Sequence, residues 1–153
     1  ELALRLGRPV ERGDVEPFLW ELAHLTDEPL SPELVEEARL WTESWSQRTL
    51  AWFGAVDVLV TPTVVEPAPR LDRFDPATTP PVELLERMVP HMAFTEPWNA
   101  TGQPAITLPL AVSREGLPVG VQLVAGPRRE ARLLALAAEL VRDVPERAPA
   151  VHA

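Results

Sequence analysis

The side chains able to perform chemistry are few in this sequence, and they do not form a catalytic set. The 153 residues include no lysine and no cysteine, and the serines lie at positions 31, 44, 46 and 113. Without cysteine, disulfides and thiolate metal sites are excluded. His24, His91 and His152 are widely separated, and no pair has metal-ligand spacing on one element. These residues therefore predict no metal site.

A serine hydrolase triad is the other catalytic set to consider. Ser113, His91 and an acid could be combined, but no Gly-x-Ser-x-Gly elbow surrounds any serine. The glycines at 102, 116, 120 and 126 do not form a phosphate-binding loop. The residues alone therefore predict no catalytic residue in this chain.

The charge and length of the chain restrict its partners. The net charge is −9 and all fourteen basic residues are arginine, a balance that disfavours nucleic acid and other phosphate-rich partners. The longest apolar runs, at 55–60 and 117–125, are far too short to span a bilayer. We expect a cytoplasmic chain the size of one domain, without membrane partners. No signal-peptide pattern is present, but because the chain begins with Glu1, a lost leader stays open as an alternative.

Helix signals dominate the first third of the chain. Residues 1–16 fit either a strand or the end of a helix, and residues 18–25 fit a short amphipathic helix. Ser31-Pro32-Glu33 combines a serine N-cap, a proline at the first helical position and an acid in the first turn, which predicts a helix running to about Phe53. One apolar face of that helix contains Leu34, Ala38, Trp41, Trp45 and Trp52. We interpret its three tryptophans as core residues.

Strand signals lie after this helix and again near the C-terminal end. Residues 56–60 indicate a buried strand, and the proline-rich segment 61–69 indicates an extended loop. Residues 105–112 and 119–125 predict two strands joined by a short turn, and therefore an antiparallel pair. Pro109 predicts an edge or a bulge in the first of these strands.

Two further helices complete the pattern. Thr79-Pro80-Pro81 predicts a helix start, and Pro90 is expected to end that helix after Val89. Residues 130–141 predict a last helix, whose apolar side contains Leu133, Leu134, Leu136, Ala137 and Leu140. Alternating helices and strands indicate the α/β class. Three short strands are few for an independent sheet, so we expect part of a mixed sheet flanked by helices, followed by a flexible tail at 143–153.

A longer pattern joins several of these elements. Its blocks are VDVLVTPT at 56–63 with PAP at 67–69, FTEPWNATGQPA at 94–105, GLPVGVQL at 116–123, and Glu130 with Leu133 and Leu134. In order and spacing, this pattern resembles the C-terminal part of the amidase signature family over about 41–140. Gly102 and Gly120 fit positions where a backbone conformation or a close approach excludes a Cβ, and Asn99 fits a turn.

The resemblance implies that residues 1–153 are the C-terminal fragment of a single amidase domain. Members of the family hydrolyse the C–N bond of linear or cyclic carboxamides with a Ser–Ser–Lys triad and no cofactor. The family places these catalytic residues upstream of the matching blocks, and arginine cannot replace the lysine because it is not deprotonated in proteins. We therefore expect the full-length protein to be an amidase and this chain to be inert alone.

The resemblance also implies which residues lie near the substrate. They are His91, Phe94, Thr95, Trp98, Thr61 and Val64. Each has a structural alternative: Phe94 and Trp98 fit a plain core, His91 fits a helix cap or the surface, and Thr61 fits a turn.

Partners follow from the same resemblance. A small-molecule amide would bind the full-length enzyme, and the missing N-terminal part of the same protein would pack on this chain. Exposed sheet edges would favour a homodimer of the chain alone. Two alternatives stay open: a non-catalytic binding module that retains the amidase scaffold, and an unrelated α/β binding domain.

Overall fold

A computed structural model of the protein describes residues 2–24 and 30–143. Its helices are α1 (Leu2–Leu6), α2 (Pro17–Ala23), α3 (Pro32–Trp52), α4 (Pro81–Met92), α5 (Glu96–Thr101) and α6 (Glu130–Asp143), and its strands are β1 (Val58–Pro62), β2 (Ala105–Val112) and β3 (Pro118–Ala125). Short 3-10 helices lie at Arg12–Asp14 and Leu71–Phe74. The first residues form a helix rather than a strand. Apart from Asp143, which belongs to α6, the predicted tail at 143–153 lies outside the described residues.

The described strands form one sheet in the order β1-β3-β2. β3 pairs with β1 from Val58↔Ala125 to Pro62↔Val121, and it pairs with β2 from Ala105↔Val124 to Val112↔Pro118. Both pairings are antiparallel, and the register of β2 shifts between Pro109 and Ala111. The predictions of an α/β fold, of the antiparallel pair and of a bulge on an edge strand at Pro109 are therefore confirmed.

β1 differs from its prediction at both ends. It starts two residues later than expected and includes Thr61 and Pro62, which we assigned to a loop. Proline is tolerated there because β1 is an edge strand. Thr63 N donates to Gly120 O at 3.0 Å, so the backbone of Pro62 faces away from β3. The same edge position leaves β1 half-buried rather than buried.

The apolar core lies between the sheet and α6. Leu108, Leu123 and Ala125 form its sheet side, and Leu133 and Ala137 form its helix side. Leu136 and Leu140 pack against this cluster. Leu134 is 63% exposed, so the predicted apolar side of the helix is wrong at that residue. Successive residues of a helix are turned by about 100°, and Leu134 consequently points away from the sheet that Leu133 contacts.

α3 has the predicted cap but not the predicted burial. Leu34 N donates to the Ser31 hydroxyl at 3.2 Å, which confirms the N-cap. Trp41 is 63% exposed and Trp52 is 48% exposed, so their interpretation as core residues is wrong for the described chain. Helical spacing shows that one face is apolar, but it does not show whether another element covers that face. None of the described helices has the length and apolar character needed to cross a membrane.

The connection between β1 and β2 contains the helices α4 and α5. α4 continues through Pro90 to Met92, so its predicted end at Val89 is wrong. A proline in the last turn removes one backbone hydrogen bond with little helix left to disrupt. α5 replaces the turn that we predicted around Asn99, and Pro97 in its first turn favours the helix. Gly102 ends α5 at φ 68°, as its predicted conformational freedom requires.

Candidate functional site

A polar row crosses the face of the sheet opposite α6. Thr61 on β1 and Thr107 on β2 both pair with Gln122 on β3, and directly paired residues project to the same face. Gln122 is only 3% exposed. Its Nε2 donates to the Thr61 hydroxyl at 3.0 Å and to the Phe94 carbonyl oxygen at 2.6 Å. One buried amide therefore joins β1, β3 and the segment before α5.

Phe94 and Trp98 extend this network into α5. The indole Nε1 of Trp98 donates to the same Phe94 carbonyl at 2.7 Å, and its ring meets Phe53 edge-on with centroids 6.0 Å apart. The Thr95 hydroxyl donates to the Met92 carbonyl at 3.3 Å, and Thr95 occupies the N-cap position immediately before α5. These side chains hold the start of α5 against the sheet.

His91 belongs to a second, charged cluster. Its Nε2 lies 2.8 Å from Glu66 Oε1, and its Nδ1 lies 3.1 Å from the Arg87 carbonyl oxygen. Arg73 Nη1 lies 2.6 Å from the same Glu66 oxygen. The pKa of the Glu66 carboxyl is lowered from its usual value, chiefly by the hydrogen bond from His91 and next by the hydrogen bond from Arg73. Phe74 packs edge-on against the His91 ring with centroids 5.1 Å apart, so His91 is held on several sides.

A groove of about 400 Å³ includes one member of each cluster, Thr107 and Glu66, and is lined by residues 62–68, Thr107 and residues 118–120. Val64 is on its wall, as is Glu66. The Thr63 hydroxyl donates to Thr107 Oγ1 at 3.2 Å across the groove floor. A Cβ on Gly120 would lie 2.7 Å from Thr63 Oγ1, which confirms that this position needs a glycine for close approach.

The six residues predicted to lie near substrate fall into two groups. Thr61, Phe94, Thr95 and Trp98 are joined through Gln122 or through α5, whereas His91 and Val64 lie beside Glu66 and the groove. Sequence reasoning missed Gln122, Glu66 and Thr107. A lone amide inside an apolar strand was the available signal for Gln122, because a buried polar group needs a partner.

The described residues offer binding groups rather than a reacting centre. The Ser113 hydroxyl accepts hydrogen bonds from the backbone of Glu115 and Leu117, both at 3.2 Å, within the β2–β3 turn. Ser113 therefore serves the turn, and no contact joins it to His91 among residues 2–24 and 30–143. Within the same residues, no three acidic or histidine side chains are grouped to hold a metal ion. Threonine hydroxyls and a largely apolar groove are suited to holding a small ligand with a few polar groups.

Comparison with known proteins assigns this arrangement to a family. A family model described as Amidase matches residues 13–134. The 6-aminohexanoate-cyclic-dimer hydrolase of Pseudomonas sp. (strain NK87) is 34% identical over 151 residues, which covers 92% of this chain and 29% of the relative. The putative amidase AmiC of Mycobacterium leprae (strain TN) is 45% identical over 94 residues, covering 61% of this chain and 20% of that protein.

A solved structure gives the same result in three dimensions. The structure of 6-aminohexanoate cyclic dimer hydrolase superposes with a TM-score of 0.78 at 31% identity, covering 94% of this chain and 31% of that one. The chain thus spans less than a third of the length of the relatives that it matches along most of its own length. Both the motifs and the three-dimensional arrangement therefore agree with the resemblance, and the chain belongs to the amidase family.

Proposed function

We propose that this chain is the C-terminal part of an amidase that hydrolyses the C–N bond of a small carboxamide. The superposition on 6-aminohexanoate cyclic dimer hydrolase, at a TM-score of 0.78 over 94% of the chain, is the observation that supports this most strongly. A second structure of that hydrolase contains its substrate, and another relative, from Rhodococcus erythropolis, is an acylamidase. From these relatives we propose linear or cyclic amides as the substrate class of the whole protein.

The catalytic groups in this proposal are two serines and a lysine outside the present sequence. A lysine base requires a lowered pKa, and this chain supplies arginine alone among strongly basic side chains. Among the described residues, no serine is hydrogen-bonded to a histidine. The chain alone is therefore proposed to be inactive, and its contribution to the reaction is to bind and orient the substrate.

The substrate-binding residues in this proposal are Thr61, Val64, His91, Phe94, Thr95 and Trp98. The groove supports a role for Val64, and the shared hydrogen bonds of Gln122 support a role for Thr61 and Phe94. An amide substrate carries one carbonyl acceptor and its N–H donors, which match the hydroxyls and apolar walls found here. No cofactor enters the proposal.

The remaining part of the amidase chain is the proposed partner of the exposed apolar surfaces. Trp41 and Trp52 on α3 expose about half or more of their surface, and large exposed apolar patches mark interaction sites. Packing of the catalytic part on α3 would bury both side chains. Without that part, the chain is expected to form a homodimer, and its cytoplasmic location stays a prediction from sequence.

The test compares two proteins on a panel of linear and cyclic carboxamides. One is the product of the whole gene, and the other is the 153-residue chain. We expect hydrolysis by the whole product and none by the chain. Hydrolysis by the chain alone would contradict the proposal, and so would a gene that encodes no upstream Gly/Ser-rich segment with a lysine.

A non-catalytic binding module is the second candidate, and the exposed tryptophans of α3 favour it if no longer protein is made. The intact mass of the native product separates the two functions. A mass of about 50 kDa, roughly three ordinary domains, supports the amidase. A mass near 16.9 kDa, that of this chain, supports the binding module.

A further inference from the structure

Glu66 connects three separate parts of the molecule. It lies in the segment after β1 that lines the groove. Its Oε1 is 2.8 Å from His91 Nε2 on α4 and 2.6 Å from Arg73 Nη1 in the 3-10 helix. Two donors from different elements thus meet on one carboxylate oxygen, and charge-assisted hydrogen bonds of this kind are shorter and stronger than neutral ones.

The donors are themselves held in place. The carbonyl oxygen of Arg73 accepts a hydrogen bond from Arg87 Nη1 at 3.1 Å, and Arg87 also pairs with Glu83 one turn earlier on α4 at 2.5 Å. The His91 ring is fixed by its Nδ1 contact with the Arg87 carbonyl and by Phe74. Because both donors are anchored to α4, Glu66 ties the groove wall to that helix.

The groove wall has little other support. Thr63 is held by its backbone bond to Gly120 and by its hydroxyl contact with Thr107. Val64 and Val65 follow it and are both exposed, and Pro67 cannot donate a backbone hydrogen bond. The position of the wall between Thr63 and Pro67 therefore depends on the side chain of Glu66.

We propose that Glu66 is a positioning residue that fixes the groove wall through His91 and Arg73, and thereby sets the affinity for the amide substrate without taking part in bond cleavage. The substrate part of this inference rests on the proposed amidase function. The positioning part rests on the contacts alone. A loosened wall would weaken ground-state binding and leave the chemical step intact, which is a rise in KM at constant kcat.

The experiment uses the protein as its gene encodes it. Glu66→Gln removes the charge and retains the size of the side chain, and His91→Phe removes both ring nitrogens while retaining a ring against Phe74. Glu36→Gln is the matched control, because Glu36 is also hydrogen-bonded by an arginine, Arg39, but lies on α3. Peptide-level hydrogen exchange over residues 63–70, thermal melting and steady-state kinetics on the best amide are measured for each.

We expect faster exchange at 63–70 and a rise of about fivefold in KM for Glu66→Gln, with kcat within about twofold of wild type. His91→Phe should act similarly, and the double variant should change less than the sum of the two because one contact is lost in both. Glu36→Gln should change neither quantity. Rescue of KM by Glu66→Asp, which restores the charge, would further support a positioning contact.

Three results would overturn the inference. Unchanged exchange at 63–70 in Glu66→Gln means that the contact does not hold the wall. A fall in kcat at constant KM, or faster exchange with no change in KM, means that the wall does not set substrate affinity. If the whole gene product hydrolyses no amide, the exchange measurement still decides the positioning, and it is the proposed function that fails.

Discussion

The two faces of the sheet are built on different physical principles. On the α6 face, Leu123 and Ala125 pack against Leu133, and burial of apolar area provides the stability. On the opposite face, the row of Thr61, Gln122 and Thr107 is polar, and its buried amide makes two directed hydrogen bonds. The first kind of contact tolerates small shifts, whereas the second depends on the positions of individual atoms.

This difference teaches where the molecule can carry specificity. Apolar burial scales with area and has no direction, so α6 can stabilise the sheet without defining what binds to it. The Gln122 amide fixes the Phe94 carbonyl and hence the start of α5. The polar face therefore sets the geometry of the candidate site, and the apolar face provides the platform beneath it.

The largest expected loss of stability comes from a substitution on the apolar face. Leu133→Ala removes a side chain that is 2% exposed, and the resulting cavity should lower the free energy of unfolding by about 2–5 kcal/mol. Urea unfolding followed by circular dichroism measures the change. Leu134→Ala, at the exposed neighbour, should change stability by less than about 0.5 kcal/mol. Equal losses at the two positions would refute the assignment of the buried face.

A substitution on the polar face should lower the stability less than Leu133→Ala does, and it should lower the amide hydrolysis more. Gln122→Met keeps the length of the side chain but removes the donor to the Thr61 hydroxyl and one of the two donors to the Phe94 carbonyl, which should cost about 1–3 kcal/mol. The same unfolding experiment applies, together with amide hydrolysis by the whole gene product. Gln47→Met on the exposed side of α3 is the control and should be close to neutral. A neutral Gln122→Met variant would mean that the amide is not a structural link.

The sequence predicted the α6 face better than the polar face, and particular residues show why. Ser31 and Pro109 carry local signals, a cap and a missing N–H, whose consequences appear within a few residues. Gln122 acts through Phe94, 28 positions earlier in the chain, and no local pattern connects the two. The helix α5 was missed although Pro97 fits a first helical turn, because Asn99 was interpreted as fixing a turn. The exposure of Trp41 depends on which elements cover α3, and periodicity carries no information on that.

A still smaller effect is expected where the polar face meets the groove. Gly120→Ala would place a Cβ 2.7 Å from Thr63 Oγ1 and 3.0 Å from Thr107 Cγ2, and relief of this overlap should cost about 1–2 kcal/mol. Thr63→Ala should recover part of the loss in the double variant, and a double-mutant cycle on unfolding free energies measures the recovery. Strictly additive losses would show that Thr63 does not cause the strain.

The smallest effect distinguishes the charged cluster around Glu66 from the apolar face by its dependence on pH. The pKa of Glu66 is lowered in the folded protein, chiefly by the hydrogen bond from His91. A carboxyl with a lowered folded pKa adds stability above its unfolded pKa of about 4.3, and this is lost as the pH falls through the folded value. The difference in stability between wild type and Glu66→Gln should therefore shrink below about pH 4, whereas the cost of Leu133→Ala should stay constant. Unfolding curves between pH 7 and 3 test this, and a parallel pH trend in both variants would contradict it.

Each outer strand carries a proline whose backbone faces away from the sheet. On β1 this residue is Pro62. On β2, Ala125 N donates to Pro104 O, and because residues that bond to the partner strand alternate with residues that do not, the backbone of Pro109 also faces outward. A cross-β fibril grows by adding strands to an uninterrupted row of backbone donors, and both edges interrupt that row. The two prolines thereby impede the addition of further strands, and so amyloid growth, at both edge strands. This holds although the chain exposes apolar residues elsewhere.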